Sequence, residues 1–113
     1  MRWVDNDIGR ESLECLLSEI LKKKPENFPV NCRACGTKDS VHVYFNSRGE
    51  KKIGGVWVWC SSCGSYMHAS IFVPNWWVNM PSITEPELDS LPGKFELHAG
   101  EIDRYWNTVI LTQ

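Results

Sequence analysis

Two matched cysteine pairs constrain this chain more than any other feature of its sequence. They are Cys32-Arg33-Ala34-Cys35-Gly36 and Cys60-Ser61-Ser62-Cys63-Gly64, and 24 residues separate them. A C-x-x-C loop can direct both thiolates at one ion, and the glycine after it permits the positive φ of a tight turn. Two such loops supply the four sulfurs of a closed tetrahedral site, which leaves no position for substrate. The sequence therefore predicts one structural zinc ion, bound by Cys32, Cys35, Cys60 and Cys63.

Two other uses of paired cysteines fit the sequence less well. A redox pair needs a single C-x-x-C at a helix N-terminus, whereas both pairs here adjoin strand-like segments. Disulfides would suit a secreted chain, but the N-terminus is acidic and lacks the apolar stretch of a signal peptide. The longest apolar run, residues 56–60, is far shorter than the ~20 residues of a membrane helix. We therefore expect a cytoplasmic protein, in which thiols stay reduced and free to bind metal.

Residues 7–24 have the pattern of an amphipathic helix. Acidic side chains lie toward its start and lysines toward its end, as the helix dipole favours, and Pro25 ends it. Cys15, the fifth cysteine, lies away from the apolar face and is expected to be a free thiol. The apolar residues recur at helical spacing and predict one buried face, namely Leu13, Leu16, Leu17, Ile20 and Leu21.

Three strands are predicted around the cysteine pairs. Residues 41–45 alternate with a period of two, residues 53–59 run back to the second pair, and residues 66–73 form a third strand that Pro74 ends. The glycines of Ile53-Gly54-Gly55 suggest a bulge. Cysteine pair, hairpin, cysteine pair and strand together resemble the zinc ribbon over residues 30–73. That resemblance implies a three-stranded antiparallel sheet with the metal at one end.

The remaining residues, 74–113, are expected to complete a single α+β domain that spans 1–113. Thr84 and Glu87 have the spacing of a capping box, which predicts a short helix over residues 85–91 that Pro92-Gly93 interrupts. A final amphipathic helix is predicted from Ile102, Tyr105, Trp106, Val109 and Ile110. The N-terminal and C-terminal helices should pack on the faces of the sheet.

The sequence shows no set of residues that indicates catalysis. The histidines His42, His68 and His98 are far apart along the chain and lie outside metal-ligand motifs. The acids near Glu85 are explained by helix capping. We therefore expect that the chain is not an enzyme.

Charge separates two classes of binding protein. The chain has a net charge of −2, and residues 82–113 carry six acidic but only two basic side chains. Such a surface attracts basic partners and repels phosphate backbones. A nucleic-acid-binding ribbon is nevertheless the alternative. Arg48, Lys51 and Lys52 cluster at the predicted hairpin tip, and three aromatic residues could stack on bases, namely Tyr44, Trp57 and Trp59.

Protein binding is the function that the composition favours. Aromatic anchors and charge are the usual means of affinity and fast docking, and this chain has six tryptophans. In size, acidity and aromatic content it resembles the bacterial immunity proteins that neutralise toxins, many of which are basic nucleases. The resemblance implies a contact surface on the C-terminal third, formed by Trp76, Trp77, Glu85, Glu87, Asp89, Glu101 and Asp103.

Overall fold

The computed structural model describes residues 2–48 and 53–113. Lys51 and Lys52, expected at the hairpin tip, lie outside the described residues. A three-stranded sheet with helices before and after it confirms the predicted α+β class. The elements in chain order are α1 (Asp7–Lys22), β1 (Val41–Arg48), β2 (Ile53–Cys60), β3 (Tyr66–Phe72), a 3₁₀ helix (Glu85–Glu87), α2 (Gly93–Glu96), α3 (Ala99–Tyr105) and a π-helical turn (Trp106–Ile110).

The sheet is antiparallel throughout, with the order β1-β2-β3. Tyr44 pairs with Trp57 and Trp57 with His68 across the three strands. The predicted bulge is wrong, because the register runs unbroken past Gly54. Glycine is needed there for a different reason: a Cβ atom on Gly54 would lie 1.8 Å from the carbonyl oxygen of Asn46. The two strands approach too closely for any side chain.

Both faces of the central strand are covered. Phe95 of α2 packs against Tyr44, Trp57 and Trp59 on one face. Helix α1 contacts β2 and β3 with its apolar side. Residues 54–60 of β2 are consequently all buried. This double coverage gives a small domain one continuous core.

Helix α1 differs from the prediction at its C-terminal end. It begins after Asn6, whose side chain accepts a hydrogen bond of 2.7 Å from the backbone N–H of Gly9. It ends at Lys22 rather than at residue 24. Leu21 is 40% exposed, so the predicted five-residue apolar face contains four buried members, namely Leu13, Leu16, Leu17 and Ile20.

The outer edge of β1 is closed by groups from elsewhere in the chain. Val30 forms an isolated antiparallel bridge with Val41. The indole N–H of Trp106 donates to the carbonyl of Val43 at 2.7 Å. The side-chain amide of Asn79 accepts from the N–H of Ser47 at 2.9 Å and donates to its carbonyl at 2.8 Å. Because these bonds replace those of a further strand, β1 offers little template for another chain.

The aromatic residues concentrate in the core. Trp106 is fully buried and stacks on Phe28 with 4.1 Å between ring centroids. Four tryptophans are buried, and each indole N–H has an acceptor, as buried tryptophan requires. The pairs are Trp57 with the Asp89 carbonyl, Trp59 with Glu96, Trp77 with Asn79 and Trp106 with the Val43 carbonyl.

The C-terminal helices are shorter than predicted. The capping box of Thr84 and Glu87 is present, but it begins a single 3₁₀ turn instead of a helix over residues 85–91. Gly93 begins α2 instead of only interrupting a helix. The predicted final helix is α3 with the π-helical turn that follows it, and Val109 of its predicted apolar face is 40% exposed. Among the described residues, no helix combines the length and apolarity needed to cross a membrane.

Leu17 and Leu21 provide a matched test of the α1 packing, because they differ in burial on the same helix. Leu17 is 7% exposed. We expect Leu17→Ala to lower the free energy of unfolding by ~2–5 kcal/mol, because it leaves a cavity in the core. Leu21→Ala should lower the free energy of unfolding by well under half of that amount, because Leu21 is already partly exposed. Urea unfolding of the metal-loaded protein measures both, and equal effects would contradict this placement of α1.

Candidate metal centre

The four paired cysteines meet at one end of the sheet. The sulfur atoms all lie within 4.8 Å of one another. Cys32 Sγ is 4.0 Å from Cys63 Sγ, and Cys35 Sγ is 3.8 Å from Cys60 Sγ. These separations are far longer than the ~2.05 Å of a disulfide. They match the ~3.8 Å edge of a tetrahedron whose metal–sulfur bonds are ~2.3 Å. The site therefore fits a single tetrahedral metal ion.

The two cysteine loops share one backbone geometry, and we call residues 32–36 the first knuckle and residues 60–64 the second. In the first knuckle the N–H of Gly36 donates to the Cys32 carbonyl at 2.9 Å. In the second the N–H of Gly64 donates to the Cys60 carbonyl at 3.0 Å. The φ angles of the two glycines are +77° and +78°, a conformation that L side chains rarely adopt. Each C-x-x-C-G motif thus forms the turn that its glycine predicts.

Hydrogen-bond donors surround the sulfurs. The backbone N–H groups of Ser62 and Cys63 each point at Cys60 Sγ from 3.4 Å. The Sγ atoms of Cys35, Cys60 and Cys63 also donate to the hydroxyl oxygens of Thr37, Ser40 and Ser65, at 3.3, 3.4 and 3.2 Å respectively. Backbone N–H donors such as those of Ser62 and Cys63 stabilise thiolate charge and orient metal ligands. The surroundings therefore suit sulfurs that bind a cation.

The ligand thiols differ in how readily they lose a proton. Burial raises the pKa of Cys32 to about 12. Hydrogen bonds from Thr37 lower the pKa of Cys35 to about 6. A cation has to displace the proton of Cys32 at neutral pH, because only thiolates bind metal. Cys15 is exposed on α1 and is not among the four clustered cysteines.

A buried polar network lies beside the second knuckle, and sequence reasoning missed it. His42 Nδ1 lies 2.9 Å from the carboxylate of Asp103, and His42 Nε2 lies 2.7 Å from Ser61 Oγ. Ser61 Oγ also donates to Glu96 Oε2 at 2.8 Å. Trp59 Nε1 donates to the same Glu96 oxygen at 2.7 Å. The one available signal was His42 itself, a polar residue within a strand otherwise made of core residues.

The contacts of Ser61, His42 and Asp103 have the order of a hydrolase triad. Their surroundings favour a structural role. The Ser61 hydroxyl donates its proton to Glu96, and the N–H of Ser61 donates to the Ser40 carbonyl at 2.8 Å. The next two N–H groups point at Cys60 Sγ, whereas an acyl-transfer site needs free donors for the oxyanion. The network joins the second knuckle to α2 and α3.

The predicted partner-binding residues separate into exposed and buried groups. Trp77 and Asp103 are buried, at 6% and 8% exposure, so the expectation that they form a contact surface is corrected. Trp76 is half-buried against Phe45 and Trp106. Glu87 is half-buried, and the exposed members of the set are Glu85, Asp89 and Glu101.

The predicted nucleic-acid surface loses its stacking residues. Tyr44, Trp57 and Trp59 are at most 3% exposed, so their rings are not available to bases. Arg48 is exposed at the end of β1. The described residues therefore offer a single member of the basic cluster and none of its aromatic partners.

Cys60→Ser tests the metal centre. We expect this substitution to abolish stoichiometric metal binding, because it removes one of four ligands. The protein should then unfold or aggregate, because the two knuckles are no longer joined by a shared ion. Cys15→Ser is the matched control and should retain both metal and fold. Elemental analysis with circular dichroism measures the two properties. Folded wild-type protein that contains no metal, or a disulfide within the site, would contradict the assignment.

Ser61→Ala tests the polar network. Since the change leaves His42 Nε2 without its partner, we expect a loss of ~1–3 kcal/mol of unfolding free energy. Ser18→Ala, at an exposed position of α1, should change stability little. Thermal unfolding and an ester-hydrolysis assay are run together. Hydrolysis by the wild type that Ser61→Ala abolishes would overturn the structural interpretation.

Comparisons of this chain with protein-family models, with curated proteins and with solved structures found no match. Its function is therefore inferred from its own site and surface.

Proposed function

We propose that this chain is a non-catalytic protein-binding domain, that one structural zinc ion holds its fold, and that it binds and blocks a basic protein as an immunity protein blocks a toxin. Zinc is the metal that best suits four thiolates in a closed tetrahedral site. A closed ligand set leaves no position for water or substrate, which supports a structural role for the metal.

The observation that carries this proposal is an acidic patch, defined here as the exposed Glu85, Asp89 and Glu101 together with the half-buried Glu87. His98 links two of its members, because its ring nitrogens contact Glu87 on one side and Glu101, at 3.3 Å, on the other. The backbone N–H of Thr84 lowers the pKa of Glu87, so this carboxylate is ionised at neutral pH. The patch presents negative charge to an approaching basic protein.

Apolar surface lies beside the acidic patch. Leu97, next to His98 in the chain, is 83% exposed. Leu91 and Val78 are also exposed. Interfaces commonly combine an apolar anchor with a charged rim, and the burial of Trp77 leaves Leu97 as the better anchor. Charge would speed encounter with the partner, and the apolar side chain would slow release.

The metal centre supports the segment that carries the patch. Ser61, inside the second knuckle, bonds Glu96 of α2. His42, which contacts Ser61, bonds Asp103 of α3. Glu101 and His98 belong to this same part of the chain. Partner binding should consequently depend on metal even though no ligand cysteine touches the partner.

A charge-reversal pair of variants tests the proposal. The test variant carries Glu85→Lys, Asp89→Lys and Glu101→Lys. The control carries Glu11→Lys, Glu19→Lys and Glu26→Lys, which make the same change in net charge at exposed positions of the N-terminal part of the chain. The partners to screen first are purified basic nuclease domains, beginning with any that is encoded beside this gene. We expect the test variant to associate at least about tenfold more slowly, with a weaker salt dependence, because it lacks the attractive patch.

Association rates at two salt concentrations, together with nuclease activity in the presence of each variant, measure the effect. Zinc content and circular dichroism confirm that both variants are folded. Equal loss with the control variant would contradict the acidic patch as the docking site. Tight binding of wild-type protein to RNA or DNA at physiological salt, lost on Arg48→Glu, would replace this proposal with the nucleic-acid alternative.

A further inference from the structure

Beyond the parallel bridge between Val4 and Ser65, strand β3 leaves one edge of the sheet open from His68 to Phe72. Backbone groups of successive residues in an antiparallel strand point alternately to its two sides. The N–H of Ser61 points to Ser40 before β1, and that of Cys60 points to Ser65 before β3. By this alternation and the register of the strands, the backbone hydrogen bonds between β2 and β3 join Val58 to Met67, Val56 to Ala69 and Gly54 to Ile71. The backbone groups of His68, Ser70 and Phe72 therefore point outward, and the hydrogen bonds among the described residues include none to them.

This edge has none of the usual protection against strand pairing. Charged residues, prolines and bulges commonly protect edge strands. The sequence contains no Asp, Glu, Lys or Arg from residue 53 to residue 84, and the first proline after β3 is Pro74. Phe72 is 78% exposed, and its cross-strand neighbour Ile53 is 46% exposed. The contrast with the capped edge of β1 indicates that β3 accepts another strand.

We propose that a second copy of this chain pairs with β3, antiparallel about a two-fold axis at Ser70, to form a continuous six-stranded sheet. In this register Ser70 faces the partner's Ser70 and the two exchange both backbone hydrogen bonds. His68 faces the partner's Phe72, and Ala69 faces the partner's Ile71. Ile71 thus faces the small side chain of Ala69, and Phe72 faces the planar ring of His68. Cross-strand aromatic pairs of this kind stabilise sheets.

Charge favours a second copy as the occupant. Two copies of a chain with a net charge of −2 repel each other. This repulsion is weakest where the surfaces that meet carry no charged side chains. Beside Tyr66 to Ala69 runs a groove of about 300 Å³, lined on the α1 side by Arg10 and Glu14. Arg10 is ion-paired with Asp5, and Arg48 and Glu85 line a cavity beside His68. Charges of both signs therefore flank the edge, and two copies that face each other across it meet no cluster of like charge. A basic partner would find its complement at the acidic patch instead.

Ser70→Pro tests the proposal without disturbing the β2–β3 ladder, because the Ser70 N–H points away from β2. We expect metal-loaded wild type to sediment as a species of twice the 13.0 kDa chain mass at high concentration. Ser70→Pro should weaken dimerisation by at least about tenfold, since two symmetric hydrogen bonds are lost. Ser70→Thr retains the N–H and is the matched control, which should remain dimeric.

Phe72→Lys provides a second variant in case Ser70→Pro does not fold. Its charge at the edge should prevent pairing, whereas Leu97→Lys, at an exposed apolar position outside β3, should not. Hydrogen exchange adds a residue-level test: amides of His68, Ser70 and Phe72 should become protected as concentration rises. Wild-type protein that stays monomeric at all concentrations, or a dimer that survives both edge variants, would overturn the proposal. The proposal does not depend on the proposed function, because its test uses the purified chain alone.

Discussion

The convergence of four cysteines at one end of the sheet is the constraint on which the rest of this structure depends. It joins the segment before β1 to the turn between β2 and β3, and it does so in a chain of only 113 residues. Structural zinc in finger peptides contributes ~10–16 kcal/mol, which equals or exceeds the ~5–15 kcal/mol net stability of a typical domain. A metal bound by these four cysteines would therefore contribute as much free energy as the net stability of a whole domain, and the hydrophobic core determines how the sheet is covered.

Each knuckle also anchors a helix through the residue that follows its first cysteine. In the first knuckle this residue is Arg33, which forms an ion pair with Glu19 of α1. In the second it is Ser61, which donates to Glu96 of α2. The Arg33 pair is exposed and contributes little by itself. The Ser61 bond belongs to a part-buried network, where an unpaired group is costly. The first knuckle therefore holds α1 through a weak exposed ion pair, whereas the second knuckle holds the C-terminal helices through a stronger part-buried hydrogen bond.

Local patterns predicted the parts of the fold that depend on neighbours in sequence. The C-x-x-C-G spacing predicted both knuckle turns, alternation predicted the strands, and helical spacing predicted α1. The errors arose where burial depends on topology. The resemblance to immunity proteins implied that Trp77 belongs to a contact surface, yet the loop that carries it folds back onto Tyr44 and Phe45. The contact between His42 and Asp103 joins residues 61 positions apart, and no local pattern encodes such a pairing.

The acidity of the sequence overstates the acidity of the surface, and this changes how function is inferred from charge. Two of the six acids in residues 82–113, Glu96 and Asp103, serve internal hydrogen bonds. Of the four acids that remain, Glu87 and Glu101 contact His98, in the part of the chain that contains α2 and α3. Residues 53–84 contain no Asp, Glu, Lys or Arg and supply a sheet edge without these charged residues. Charge is thereby divided between two surfaces, one suited to an oppositely charged protein and the other to a like-charged copy. If both are used, a dimer would present two acidic patches, and a partner with two basic sites would gain avidity without any new contact.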